Sequence, residues 1–248
     1  MTRKKSSLHL VDTSNQEKSS KCKVLMTDMR QDIKPLTFNQ AAFFDLYDKQ
    51  ETAILLHGAA GTGKTYIALY KALSEVLQKD TEFHKVVIVR SAVPSREIGH
   101  LPGGADEKTE VYQLPYHDIC ADLFNHVQPF QRLMEQKSVE FMITSFVRGL
   151  TLDNAIVIVD ECQNMNDMEL NSIMTRVGSN SKIIFCGDFR QTDLYRRTDT
   201  SGLHKFMKIV DMMPSFKSVE FTMDDIVRSD IVKEYLIARM EYEERTAA

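Results

Sequence analysis

The chain has 248 residues and a mass of 28.4 kDa, with 43% hydrophobic and 27% charged residues. This balance excludes collagen-like, low-complexity and wholly disordered chains, and the length suffices for one compact domain with its own core. The net charge of −4 excludes a polycation that coats nucleic acid, and no apolar run approaches the ~20 residues of a membrane span. We therefore expect a cytoplasmic protein without a membrane partner.

Residues 1–34 are rich in serine, lysine and glutamine, and their eight basic and four acidic side chains give a local charge of +4. This composition predicts a flexible basic N-terminal arm. Contact with a nucleic acid or a partner protein is the alternative interpretation. Residues 35–248 are then expected to form a single domain.

Short apolar runs alternate with longer helical patterns from residue 53 onward. Uninterrupted apolar runs predict strands buried on both faces, and helices between them predict a three-layer α/β domain with a mainly parallel central sheet. Prolines and glycines predict an irregular insertion around 91–138. The predicted strands are Ala53–His57, Val86–Val89, Val139–Ile143, Ala155–Val159, Lys182–Cys186 and Ser218–Phe221. The predicted helices are Lys64–Leu77, Glu107–Phe124, Asp167–Val177, Gly202–Val210 and Asp230–Glu244.

The first predicted strand is followed by a complete phosphate-binding motif. The pattern G-x-x-x-x-G-K-[ST] is filled by Gly58, Ala59, Ala60, Gly61, Thr62, Gly63, Lys64 and Thr65. In this motif backbone N–H groups surround phosphate oxygens at a helix N-terminus, while the lysine contacts the β and γ phosphates and the hydroxyl ligates Mg²⁺. A chance glycine-rich turn is the alternative. The flanking strand and helix favour a P-loop NTPase of RecA-like fold that binds ATP and Mg²⁺, with Tyr66 beside the nucleotide.

A second predicted strand, Ala155–Val159, ends in the carboxylates Asp160 and Glu161. Open α/β sheets bind their ligands at the carboxyl ends of the strands, so Asp160 is a candidate to hold Mg²⁺ through water. Glu161 is the candidate general base that orients the attacking water. The alternative is an acidic pair at a helix N-terminus.

Two glutamines are candidate nucleotide contacts. Gln191 follows the strand Lys182–Cys186, and its amide would sense the γ phosphate, with Asp188 supporting the metal. A turn with an Asx cap is the alternative there. Gln40 lies upstream of the phosphate loop, and its amide suits the N6/N7 edge of adenine. An exposed glutamine at a helix start is the alternative for Gln40.

Together these residues resemble the PhoH family of phosphate-starvation-inducible ATPases, whose core is similar to the first motor domain of superfamily 1 helicases. The resemblance runs from about Leu36 to Leu236, and the chain looks like the isolated motor domain common in bacteriophage-encoded relatives. Two departures, Ser91 and Cys162 in place of the usual Pro and Ala, remove no phosphate or metal ligand. The matching motifs are Gly58–Thr65, Asp160–Asn164, Gly187-Asp188-x-x-Gln191, Arg90–Val93, Leu101–Gly103 with Glu107-Lys108, Arg148–Leu152, Thr175–Gly178 and Asp225–Arg228.

The resemblance also implies that the second motor domain of the helicases is missing. Those helicases complete the site with arginines from that domain, because charge on the γ phosphate needs a cation. The implied substitute is an arginine from a neighbouring subunit of a homo-oligomeric ring, by resemblance a hexamer. Arg228 and Arg176 are the candidates, and a surface ion pair is the alternative for each.

The helicase-like resemblance also suggests nucleic-acid contacts in the insertion. Arg90, Arg96 and Lys108 are candidates to meet phosphates, and Tyr112 and Tyr116 are candidate stacking faces. Acidic neighbours oppose phosphate binding, so structural packing or an oligomer contact is the alternative for this insertion.

The main hypothesis is therefore a Mg²⁺-dependent ATPase that couples hydrolysis to binding or remodelling of RNA or single-stranded DNA. The alternative is a nucleotide-controlled oligomeric scaffold without motor activity, which recruits a nuclease or a host factor. A small-molecule kinase is disfavoured, because a carboxylate that activates water suits hydrolysis better than transfer.

Overall fold

A computed structural model describes residues 23–91, 105–189 and 202–247. The strands in these ranges are β1 (Ala53–Gly58), β2 (Lys85–Arg90), β3 (Val139–Ile143), β4 (Ala155–Asp160), β5 (Lys182–Gly187) and β6 (Phe216–Phe221). They form one parallel sheet in the order β3-β2-β4-β5-β1-β6. All six predicted strands are present, and the predicted α/β class with a parallel central sheet is confirmed.

Helices cover both faces of the sheet. In the described ranges they are α1 (Phe38–Asp48), α2 (Lys64–Val76), α3 (Ala105–Leu123), α4 (Pro129–Glu135), α5 (Thr144–Val147), α6 (Asp167–Met174), α7 (Leu203–Val210) and α8 (Asp230–Ala247). None of these helices is both long and apolar enough to cross a membrane.

The core is divided into two layers by the sheet. Successive side chains of a strand point to opposite faces, so an uninterrupted apolar strand contributes to both layers. In β4, Ile156 and Ile158 pack in the layer under α1 to α4, whereas Val157 and Val159 pack in the layer under α5 to α7. Each fully buried aliphatic side chain of this kind stabilises the fold by roughly 1.5–3 kcal/mol.

The N-terminal segment packs against the core at residues that its composition predicts to be flexible. The flexible arm was expected to reach residue 34, but Val24 and Met29 are buried against the first core layer. The backbone N–H of Arg30 donates to Leu123 O at 2.8 Å, and Met29 forms a β-bridge with Phe124. Isolated apolar residues in a polar stretch therefore fix this segment against the end of α3.

Three helices of the described ranges do not appear among the sequence-based predictions, namely α1, α4 and the four-residue α5. α1 carries apolar residues around most of its circumference, so it has no single apolar stripe, and its N-terminus is capped by the Thr37 side chain, which accepts from Gln40 N. α4 is short and begins with Pro129. α3 and α4 make the described part of the predicted irregular insertion largely helical, whereas residues 92–104 lie outside the described ranges.

Candidate nucleotide-binding site

The phosphate loop connects β1 to α2 and is held from several sides. The N–H of Ala59 donates to Phe221 O at 2.8 Å, and the N–H of Val227 donates to Gly61 O at 3.1 Å. The Thr62 hydroxyl donates to Ala59 O at 3.1 Å. Gly63, the residue before α2, makes no side-chain cap, so the first N–H groups of the helix remain for a ligand. This end of α2 is therefore suited to bind an anion.

Gly58 shows why the motif begins with glycine. Its φ of +122° lies in a region that L side chains rarely adopt, and a methyl group built on it would lie 2.0 Å from Phe221 O. The close approach comes from the parallel pairing of β1 with β6, in which Gly58 faces Phe221. Any side chain here would separate the last strand from the phosphate loop.

Lys64 is buried and its ammonium group already has three partners. Nζ donates to Ala59 O at 2.7 Å and to Thr62 Oγ1 at 3.2 Å. It also forms an ion pair with Asp188 Oδ1 at 2.7 Å. An ammonium group has three hydrogens, so a phosphate oxygen can bind here only by replacing one of these partners.

Asp160 lies at the end of β4, is 5% exposed, and is held by hydroxyl groups from two helices. Thr65 Oγ1 donates to Oδ1 at 2.7 Å, and Tyr116 Oη donates to Oδ2 at 2.7 Å. Burial raises the pKa of the Tyr116 phenol well above its ordinary value, so it stays a neutral donor. A hydroxyl beside a carboxylate is an oxygen donor set that fits Mg²⁺, so these residues fit the implied ion.

Glu161 follows in a left-handed backbone conformation with φ of +53°, which is uncommon for a residue other than glycine and is often found at functional sites. Its Oε2 accepts from Gln163 Nε2 at 2.6 Å, and its Oε1 lies 4.0 Å from Arg90 Nη2. Burial, followed by the negative charges of Asp160 and Asp188, raises the pKa of Glu161. A carboxylate of raised pKa is a stronger base toward water.

These groups border one cavity of about 650 Å³. The side that holds Lys64, Asp160 and Glu161 is strongly polar. The N-terminal segment and α3 also contribute to the lining, through the apolar Ile33, Leu36, Pro115 and Ile119 and the charged Arg30, Asp32 and Lys34.

The contribution of the N-terminal segment to this cavity was not predicted from the sequence, because residues up to 34 were expected to be flexible. Apolar residues inside a polar segment, such as Ile33, were the available signal. The lining from the phosphate loop includes Gly61, Thr62, Gly63, Lys64, Thr65 and Tyr66. Gly58, Ala59 and Ala60 are not among the residues that line it.

Gln40 also borders the cavity, but its amide is bonded within the protein. Oε1 accepts from Leu36 N at 2.8 Å, and Nε2 donates to Thr62 O at 3.0 Å. The side chain is 3% exposed. In this structure Gln40 therefore ties α1 and the N-terminal segment to the phosphate loop, and its role as an adenine reader stays a prediction.

The candidate arginines are in very different places. Arg228 lines the cavity of its own chain, and a methyl group built on Gly61 would lie 3.0 Å from its Cγ. Arg176 accepts through its carbonyl from Leu152 N at 2.8 Å, just before the start of β4. β4 ends at Asp160, about 20 Å further along at the usual rise per residue. Arg176 is therefore at the opposite edge of the sheet from the cavity.

The structure describes the side chains of only some of the residues that were predicted to contact nucleic acid. Arg90 lines the nucleotide cavity, and its guanidinium is 6.0 Å from the centre of the Tyr112 ring. Arg96 and Gln191 lie outside the described residues, and Lys108 is described only in its backbone, within α3. Tyr116 is fully buried, so the prediction that it is a stacking face for nucleic acid is wrong.

Comparisons with known protein sequences identify the family of this chain. A sequence profile described as PhoH-like protein matches residues 32–239. The PhoH-like protein of Mycobacterium leprae (strain TN) is 32% identical over 240 residues, which cover 95% of this chain and 66% of that protein. The PhoH-like protein of Bacillus subtilis (strain 168) is 35% identical over 182 residues, which cover 73% of this chain and 56% of that protein. The chain thus spans less than two thirds of the length of these relatives.

Solved structures similar to this chain include the large terminase of a thermophilic bacteriophage, with a TM-score of 0.49 and 16% identity over 82% of this chain and 50% of the terminase. The helicase domain of Pyrococcus furiosus Hef has a TM-score of 0.47 and 13% identity, and the similarity covers 80% of this chain and 41% of that one. The profile match over most of the chain and the identity to the bacterial relatives, above 30%, show that this chain belongs to the PhoH family.

Proposed function

We propose that this chain is a Mg²⁺-dependent ATPase. The observation that carries the proposal is the meeting, at one cavity, of a helix N-terminus with Lys64, the hydroxyl and carboxylate pair of Thr65 and Asp160, and the second carboxylate Glu161. Each meets one requirement of hydrolysis, since the phosphates, the metal and the attacking water each need a separate group.

The residues of the chain divide the chemistry between them. The N–H groups of α2 and Lys64 would bind the β and γ phosphates, once a phosphate oxygen replaces one partner of the ammonium. Mg²⁺ held through Thr65 and Asp160 would neutralise phosphate charge and align the leaving group. Glu161 would take the proton of the attacking water. Arg90 and Arg228 line the same cavity and would offset charge that develops on the γ phosphate.

Two substitutions test the site. Lys64→Ala should abolish nucleotide binding and turnover, whereas Glu161→Gln should retain binding and lose turnover by at least a hundredfold, the scale of general base catalysis. Lys71→Ala is the matched control, because Lys71 lies on α2 but pairs with Asp48, away from the cavity. Retention of hydrolysis in both site variants would overturn the assignment, and calorimetry with phosphate-release assays measures both properties.

Coupling to nucleic acid is the finer part of the proposal. It rests on the family resemblance rather than on a described contact, since Arg90 lines the nucleotide cavity. The test is the ATPase rate with and without single-stranded RNA or DNA, together with filter binding at low salt. Stimulation supports coupling, whereas no stimulation and no retained polymer favour the nucleotide-controlled scaffold.

A ring of identical subunits, by resemblance a hexamer, also stays a prediction. Its physical argument was a missing arginine, but Arg228 already lines the cavity of its own chain. Light scattering with and without a non-hydrolysable ATP analogue measures the subunit number directly. A monomer in both states would contradict the ring.

A further inference from the structure

One side chain of α3 reaches the predicted metal end of the cavity. Tyr116 is fully buried, and its hydroxyl donates to Asp160 Oδ2 at 2.7 Å although the two residues are 44 positions apart. Nothing in the phosphate-loop or acidic-strand motifs requires a tyrosine here, because both motifs lie on other elements. The contact therefore links α3 to the metal ligand through tertiary structure alone.

The geometry fixes the Asp160 carboxylate at both oxygens. Thr65 holds Oδ1 from α2, and Tyr116 holds Oδ2 from α3. A carboxylate oxygen has two acceptor sites, so each oxygen keeps a free lone pair for an ion or its water while the plane of the group is set. Two hydroxyls on separate helices thus leave the carboxylate little freedom to rotate.

Tyr116 is itself held by aromatic packing. Its ring stacks on Phe130 with centroids 6.1 Å apart, and it packs against Phe141 at 5.6 Å. These neighbours belong to α4 and β3, so the ring is enclosed by the body of the domain. A hydroxyl on a ring packed in this way is a preorganised donor, since it cannot move without displacing the core.

The same part of α3 also borders the cavity. Pro115 and Ile119 line the cavity on either side of Tyr116 in the sequence. A shift of α3 would therefore change both the wall of the cavity and the support of Asp160. The helix directly follows residues 92–104, and the ring of Tyr112, one turn before Tyr116, lies near the guanidinium of Arg90.

We propose that Tyr116 is a positioning residue for Asp160, and that α3 is coupled through it to the binding of Mg²⁺ with nucleotide. This inference rests on the proposed ATPase function. Tyr116 acts through Asp160, so its loss should change the metal requirement more than the affinity for nucleotide without metal.

The test compares two Tyr→Phe substitutions. Tyr116→Phe keeps the ring and removes the hydroxyl, and Tyr47→Phe is the matched control. Tyr47 is buried and donates to the carboxylate of Glu75 at 2.6 Å, but it lies outside the cavity lining. Binding of a fluorescent ATP analogue is measured across a Mg²⁺ titration, and thermal unfolding is measured for both variants.

Loss of a hydrogen-bond partner of a metal ligand typically lowers metal affinity by about 10- to 100-fold, so the half-saturating Mg²⁺ concentration should rise at least about tenfold in Tyr116→Phe. It should stay within about twofold of wild type in Tyr47→Phe, and metal-free binding should change little in either. In the Asp160→Asn background, Tyr116→Phe should add no further change, because its target is already altered. An unchanged Mg²⁺ requirement, or equal shifts in both Tyr→Phe variants, would overturn the inference.

A second measurement uses the wild-type chain and does not depend on how the variants fold. Amide hydrogen exchange in α3 around Tyr116 is followed with a non-hydrolysable ATP analogue, with and without Mg²⁺. Protection should increase when Mg²⁺ is added, and equal protection would contradict the coupling. Failure of the wild-type chain to bind nucleotide at all would instead refute the proposed ATPase function itself.

Discussion

The ion pair between Lys64 and Asp188 sets a competition between the protein's own carboxylate and an incoming phosphate. Lys64 Nζ lies 2.7 Å from Asp188 Oδ1, and the lysine side chain is 4% exposed whereas that of the aspartate is 40% exposed. Asp188→Asn removes the negative charge and retains the shape. We expect the variant to bind ATP more tightly than wild type, because its lysine has no anionic partner to release.

The magnitude follows from the charges and their exposure. Two unit charges 4 Å apart interact by about 4 kcal/mol near a protein surface and by about 1 kcal/mol in bulk water. Because the aspartate is exposed, water screens this ion pair, and we expect the pair to contribute about 1–2 kcal/mol. Removing it should therefore increase the affinity for ATP by about 5- to 30-fold. The ligand-free protein loses the same pair, so its Tm should fall by about 2–8 °C.

Calorimetric titration with a non-hydrolysable ATP analogue and Mg²⁺ measures this affinity, and thermal unfolding without ligand measures the stability. Asp167→Asn is the control, because Asp167 pairs with Lys205 on the surface at 2.8 Å. Weaker binding in Asp188→Asn would refute the competition and support the alternative prediction that Asp188 assists the metal. Unchanged binding would show that the pair does not oppose the phosphate.

Other residues give predictions of different kinds. Lys182 is buried, and its Nζ lies 3.0 Å from Glu75 Oε2. Lys182→Met should lower the free energy of unfolding, measured with denaturant, by about 3–5 kcal/mol, because Glu75 would lose its cation. Gln40→Ala should lower the free energy of unfolding by about 1–3 kcal/mol and weaken ATP and GTP binding alike, since it removes the bond to Thr62 O of the phosphate loop and the bond to Leu36 N. Burial raises the pKa of Glu161 in the ligand-free protein. The same raised pKa means that the folded state binds this proton better than the unfolded state. The stability that protonated Glu161 contributes is therefore lost as the pH rises through the folded-state pKa. Glu161→Gln should consequently raise the Tm at neutral pH.

The sheet could be predicted from the sequence because its physical signal is local. A strand such as β4 is buried on both faces and therefore contains an uninterrupted apolar run that is visible without a partner. The phosphate loop is likewise encoded in consecutive residues, and the structure brings Thr65 to within hydrogen-bond distance of Asp160, 95 positions away. Both motifs follow strands, and parallel strands end at one edge of a sheet, so their meeting was predictable.

The contacts that were not predicted depend on tertiary structure. The buried residues Val24 and Met29 are single apolar positions in a polar segment, and no periodicity marks what they pack against. Tyr116 was predicted to stack on nucleic acid because the helicase-like resemblance suggests nucleic-acid contacts in this part of the chain, whereas its hydroxyl is bonded to Asp160 in the core. Gln40 was expected to face the nucleotide base, and the protein's own backbone groups have taken both ends of its amide.

The two candidate arginines make opposite predictions about assembly. Arg228 lies against the phosphate loop of its own chain, next to Gly61. The preceding residue is bonded to the same loop, since Val227 N donates to Gly61 O. Arg228 should therefore act within one chain. Arg176 lies at the other edge of the sheet and can serve a site of this kind only from another subunit.

Mixing variants separates these roles. Lys64→Ala chains mixed with Arg228→Ala chains should stay inactive, because every site lacks either its lysine or its own arginine. If Arg176 completes the site from a neighbour, Lys64→Ala chains mixed with Arg176→Ala chains should recover hydrolysis, because some sites then combine an intact loop with an intact arginine. Recovery in the Arg228 mixture would refute action within one chain, since it requires that arginine to reach a neighbouring site.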